Sequence, residues 1–155
     1  MKIGVIGDCF KLPLADSIRL AGEMGFDGIQ IYATTGEFSP AVLTSARKAE
    51  IRALLQENRL TISALCGDMG GYGFQIAGDN PERIEKTERI IDLAAEFGVP
   101  VVTTHIGVIP ADKAHPRYAV MLDAMRRCGA YAAARGVHPA VLAYLRLHPE
   151  HFFVC

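Results

Sequence analysis

No two cysteines in this sequence stand close enough to form a metal knuckle or a redox pair. Cys9, Cys66, Cys128 and Cys155 are scattered along 155 residues without a CxxC, which argues against a structural zinc site and against a disulfide framework. No stretch approaches the ~20 consecutive apolar residues of a membrane span. The opening MKIGVIGDCF meets a glycine and an aspartate too early for a signal peptide. Reduced thiols without a targeting segment point to the cytoplasm. Neither sign of charge dominates, with 16 Lys and Arg against 17 Asp and Glu and a formal net charge of −1. That balance gives no support to nucleic acid or an anionic membrane as partner. A glycine-rich phosphate loop is lacking too, because GVIGDCF offers only Gly4 and Gly7, neither GxGxxG nor a P-loop.

What is present is a single-domain length with half its residues hydrophobic, enough to bury a core. One pattern recurs along it. The apolar runs at 2–8, 28–34, 60–68 and 99–107 read as strands, and each is followed by a segment of helical period. The first helix begins after Pro13, places Leu14, Ile18, Ala21 and Met24 on one face and stops at Gly25. For the second, Ser39 is the expected cap, Pro40 the first helical residue, and Leu43, Ile51 and Leu54 the shared face. Asn80 and Pro81 open the third, which turns Ile84, Thr87, Ile91 and Ala94 inward and ends at Gly98. The fourth follows His115-Pro116, with Tyr118, Met121, Leu122, Met125 and Ala132 on one side.

Four β-then-α units predict right-handed crossovers and a parallel α/β sheet. Two architectures fit, an open doubly wound sheet and a (β/α) barrel of the TIM type. The missing phosphate loop counts against the first. The second explains the strand ends, which are polar and rich in glycine: GDCF (7–10), YATTGEF (32–38), CGDMGGYGFQ (66–75) and THIG (104–107). In a barrel these ends share one rim, where loops of this kind let a backbone approach a ligand. Asp8, Tyr32, Thr34, Thr35, Asp68 and Thr104 supply hydroxyls and carboxylates that can hydrogen-bond a polyol. The plain alternative is that strand ends need polar turns. Asp8 and Asp68 also read as turn-closers, Glu37 as a charge favouring the following helix, and His115 as a loop residue.

The segments GEMGFDGIQIY, TISALCGDMGGYGF and VPVVTTHIG resemble the xylose isomerase-like TIM barrels, the superfamily of sugar and sugar-phosphate isomerases and epimerases. Endonuclease IV-type repair enzymes share that fold. The resemblance covers residues 1–136 and implies a partial barrel of about four βα units. It implies that His105 points into the barrel mouth beside metal and substrate, flanked by Thr103 and Thr104, with Gly107 keeping space beside it. By spacing alone, His105 reads slightly better as a buried, hydrogen-bonded histidine at a strand end. Gln30 falls where many relatives carry a glutamate. The substrate-binding set implied is His105, Gln30, Asp8, Tyr32, Cys66, Gly67, Asp68 and Thr104, with His105 also a possible metal ligand. The cofactor implied is a divalent ion, Mn²⁺, Mg²⁺, Co²⁺ or Zn²⁺.

Three functions are open at this stage: a sugar or sugar-phosphate isomerase or epimerase, a non-catalytic half-barrel that binds a polyol and self-associates, and an endonuclease IV-like enzyme. The last lacks a third-strand histidine around Cys66 and Gly67. A full barrel takes roughly 250 residues. Past Gly136 the text VHPAVLAYLRLHPEHFFVC supplies no acidic residue where relatives end a fifth strand in glutamate, although AVLAYL could form a short strand. Residues 137–155 are therefore expected to be a divergent tail from truncation or frameshift. The chain alone is expected to form a homo-oligomer and to be inactive. His148, Glu150, His151 and Cys155 superficially suggest a metal cluster but read better as a loose chain end.

Overall fold

The structure, a computed structural model, describes residues 2–142. His148, Glu150, His151 and Cys155 lie outside the described residues. Strands and helices alternate: β1 (Gly4–Ile6), α1 (Leu14–Glu23), β2 (Gly28–Tyr32), α2 (Ser45–Glu57), β3 (Thr61–Cys66), α3 (Asn80–Phe97), β4 (Val101–His105), α4 (Pro116–Ala133) and β5 (His138–Leu142). Short 3₁₀ turns occupy Gly7–Phe10 and Gly36–Phe38. All neighbouring strands run parallel, in the order β1-β2-β3-β4-β5. The four expected strands keep their order, and β5 joins beside β4 where the sequence pattern left a short strand open.

The helices share one side of this sheet. Ile18 and Ala21 of α1, Ile51 and Leu55 of α2, Ile90, Ile91 and Ala94 of α3, and Ala132 of α4 form one buried cluster. Ile29, Ile31, Ile62, Leu65 and Val102 of the strands complete it. A doubly wound sheet would divide its helices between two faces; among the described residues they are not divided. A second, smaller cluster joins Phe74, Ile84, Ile106, Met121, Ala124 and Cys128 under the loops that follow β3 and β4.

Helix α3 follows its pattern except at the cap: Asp79, not Asn80, stands at the N-cap, no side chain caps the first turn, and the Asn80 amide instead donates to the Phe74 carbonyl at 3.2 Å. Pro81 occupies the first turn, where its missing N–H costs nothing, and Ile84, Thr87, Ile91 and Ala94 are all buried. Gly98 ends it at φ 66°, its N–H reaching the Ala94 and Ala95 carbonyls, a left-handed cap that glycine adopts without a Cβ penalty. The start of α2 is a correction. Ser39 and Pro40 do not open it; Thr44 does, its hydroxyl accepting from the Arg47 N–H at 3.2 Å. The cause is packing, because Phe38 is only 2% exposed and Leu43 only 9%, and burying both requires the chain to turn through 36–43. Met24 and Leu122, expected inward, are 59% and 37% exposed.

A register shift decides what the far end of the sheet presents. Ile29 pairs with Ile62, but Gln30 pairs with Ala64, so Ser63 is an extra residue in β3. Beyond it Tyr32 stands beside Cys66, and Cys66 beside Thr103. Because strand side chains alternate, an unshifted β3 would have set Leu65 beside Tyr32 and turned the thiol toward the helices.

Candidate ligand-binding rim

With Ile29, Ile31, Leu65 and Val102 committed to the helices, alternation leaves Gln30, Tyr32, Cys66, Thr103 and His105 on the other face. Gln30, Tyr32, Thr103 and His105 are half-buried there, and Cys66 is buried. Tyr32, Cys66 and His105 each end their strand, so the sheet's C-terminal edge gathers a phenol, a thiol and an imidazole.

Tyr32 is the hub of this edge. The Cys66 thiol stands beside its phenol on the neighbouring strand, and its backbone N–H donates to Asp8 Oδ2 at 3.1 Å. The phenol's pKa is pushed up from 10.0 to about 12, first by the negative charge Cys66 can carry beside it, then by burial, with Asp68 and Asp8 adding to the opposition. Tyr32 therefore stays protonated at neutral pH and can donate a hydrogen bond in a neighbourhood rich in acceptors. The sign of the linkage follows: a raised folded-state value contributes stability below pH 10 and loses it as the pH climbs through about 12. Cys66→Ala is expected to return the phenol toward its ordinary value, read by absorbance titration against Tyr32→Phe. A slow phenol near 12 that persists in Cys66→Ala would contradict the assignment.

The remaining expected residues divide into two groups. Asp8 and Tyr32 line a cavity of about 190 Å³ with Thr35, Gly36, Glu37 and Phe38, between the loops after β1 and β2. Gln30, Cys66, Asp68 and His105 lie outside that lining. Asp68 closes its own turn, accepting from the Gly70 N–H at 2.7 Å. Gly67 and Thr104 are tied to one another across the strands. The Gly67 N–H donates to the Thr103 carbonyl at 2.7 Å, and its carbonyl accepts from the Thr104 hydroxyl at 3.3 Å. Thr104 is only 5% exposed. Both residues stitch β3 to β4 on the helix side, and adjacent Thr104 and His105 cannot point to the same face.

Glu37 reads in sequence only as a charge near the helix that follows it, but it also serves the helix before it. Its carboxylate accepts from the Leu14 N–H at 3.0 Å and from Arg47 at 2.6 Å, tying the start of α1 to α2. Burial opposes that charge, but the Arg47 and Leu14 hydrogen bonds hold its carboxyl below the usual range. Gln75 and Gly73 join the loops after β3 and β4, and the signal for them, the run GGYGFQ, reads in sequence only as a permissive loop. His115 is the N-cap of α4, its Nδ1 accepting from the Arg117 N–H at 3.2 Å.

A divalent ion does not fit the residues in hand. Among the described residues no three His, Cys, Asp or Glu side chains converge as a metal-binding group. Asp8 and Asp68 each hold a backbone amide, and His105 offers one imidazole. No helix among them is long and apolar enough to cross a membrane.

Known structures share this architecture. The probable 3-DHS dehydratase AsbF from Bacillus anthracis superposes with a TM-score of 0.73 at 20% identity, covering 91% of this chain and 52% of that one. The 3-keto-D-glucoside 4-epimerase YcjR from E. coli gives 0.66 at 24%, covering 91% and 55%. A xylose isomerase-like TIM barrel protein from Mycobacterium smegmatis, solved in complex with magnesium, gives 0.66 at 19%, covering 90% and 54%. The chain thus spans about half the length of these structures, and identities this low establish the fold alone. None of the curated proteins matches in sequence. The family model for the xylose isomerase-like TIM barrel matches residues 18–145, and with helices on one side of a parallel sheet and a polar C-terminal edge, the chain belongs to that family.

Proposed function

We propose that the C-terminal edge of the sheet binds a small polyol, a sugar or sugar phosphate, as the N-terminal half of an isomerase- or epimerase-like site. The observation that carries this reading is the grouping of Asp8, Asp68 and Cys66 around the protonated phenol of Tyr32, beside a cavity of about 190 Å³. Carboxylates accept from sugar hydroxyls, and the phenol donates to a sugar oxygen. Magnesium in one structural neighbour and an epimerase among the others support metal-dependent proton transfer on a ketose as the family chemistry. At the rim, Asp8 and Asp68 each accept from one backbone amide, which fixes their carboxylates while leaving lone pairs for a sugar hydroxyl. The uncovered sheet face also favours association with a second copy, which forms part of the proposal.

Saturation-transfer NMR with D-fructose tests the reading. A dissociation constant on the order of 1 mM is expected, equivalent to about −4 kcal/mol, weakened several-fold by Tyr32→Phe. Unsaturable or absent transfer at about 100 times that concentration would refute it.

A further inference from the structure

The chain just beyond His105 is held by a clasp between two loops. The Phe74 N–H donates to the Ile106 carbonyl at 3.0 Å. Gly73 at φ +60° and Gly107 at φ +93° bring the two backbones into direct contact. A Cβ on Gly73 would overlap the Ile106 carbonyl and the Gly107 nitrogen, and one on Gly107 would overlap the Tyr72 oxygen and the Gln75 side chain.

Gln75 is the side chain built into this contact. It is only 8% exposed. Its Nε2 donates to the Tyr72 carbonyl at 2.9 Å, and its Oε1 accepts from the Arg117 guanidinium at 2.8 Å. Arg117 belongs to the first turn of α4, whose N-cap is His115. One amide thus joins the loop after β3 to the start of the helix that follows β4, with the Gly107 backbone pressed against it. Underneath, Phe74 and Ile106 pack with Met121. A buried amide is costly unless both ends are satisfied, and once satisfied it specifies one arrangement of the groups around it.

We propose that Gln75 is a positioning residue: its amide, clamped between Tyr72 and Arg117, fixes the chain at Gly107 and so the orientation of the His105 imidazole at the rim. The proposal rests on the reading of that rim as a ligand site, since it is there that imidazole orientation matters. Gly107 is two residues from His105 and, as a glycine at positive φ, is the place where the chain would swivel if the clamp were released.

The test uses the whole chain without ligand, labelled at its five histidines, with the His105 imidazole assigned by His105→Gln. Gln75→Ala removes both hydrogen bonds. Arg117→Ala removes one from the outside and preserves folding if Gln75→Ala does not fold. In either variant the His105 ring-nitrogen signals are expected to change tautomer balance or to broaden, while amide exchange at 73–76 and 106–108 accelerates at least about tenfold. Gln75→Glu, which keeps the acceptor for Arg117 and loses the donor to Tyr72, is expected to fall between. Ring signals that superimpose on the parent spectrum, with or without faster exchange, would make Gln75 purely structural and overturn the proposal. Because no sugar is present, this result is independent of the D-fructose experiment, whose failure would instead refute the rim as a polyol site.

Discussion

Gly73→Ala is expected to destabilise the protein by about 3 kcal/mol or more and to part the loops that follow β3 and β4. Two costs add. The φ of +60° is left-handed, which a residue with a Cβ adopts at a cost of roughly 1–2 kcal/mol. The new methyl would also meet the Ile106 carbonyl and the Gly107 nitrogen, backbone atoms that cannot rotate away as a side chain end can, adding the roughly 1–3 kcal/mol of an overpacked contact. Relief would require breaking the Phe74-to-Ile106 hydrogen bond and lifting a fully buried phenylalanine from its cluster. Urea denaturation measures the loss, with Gly78→Ala as the companion. A Cβ on Gly78 meets nothing within 4 Å, so that variant is expected to stay within about 0.5 kcal/mol of the parent. Equal midpoints for the two variants would contradict the clasp.

Phe38→Ala is the second large effect, expected at about 3–5 kcal/mol. Phe38 is 2% exposed, and its ring lies 5.2 Å from that of Phe97 at an interplanar angle of 59°, a tilted pair whose geometry adds to the area buried. It anchors the 3₁₀ turn that presents Glu37 to Leu14 and Arg47, and it lines the cavity that holds Asp8 and Tyr32. Truncation therefore leaves a void continuous with an existing cavity, which water can enter. The expected result combines a lower urea midpoint with weaker D-fructose binding. A variant within 1 kcal/mol of the parent would show the loop to be a loose cover rather than a wall.

Much of the architecture was legible because it depends on local chemistry. The inward face and C-terminal end of α3 follow from the spacing of Ile84, Thr87, Ile91 and Ala94, and from Gly98, whereas Asp79 rather than Asn80 holds its N-cap. The strands follow from β-branched runs between turn residues. The start of α2 was not legible, because Ser39-Pro40 is a sound local start signal that the burial of Phe38 and Leu43 overrides. At the rim, strand alternation alone places the Thr104 and His105 side chains on opposite faces, a separation visible in the sequence. The placement of Cys66 beside Tyr32 was not, since it depends on the extra residue at Ser63, and neither strand's periodicity announces a bulge. In sequence, the glycines of GGYGF and HIG suggest room for a ligand. Gly73 and Gly107 instead make room for each other's backbone, a use visible only once β3 and β4 are neighbours.

If the polar C-terminal edge is the surface that meets the ligand, ¹H–¹⁵N correlation spectra of the uniformly labelled chain titrated with D-fructose will map binding there. The predicted result is that the largest amide shifts fall at Asp8, Gln30 to Tyr32, Cys66 to Asp68 and His105, with the opposite strand ends at Gly4, Gly28, Thr61 and Val101 unmoved. Shifts concentrated at those opposite ends, or on the outward faces of α2 and α3, would contradict it.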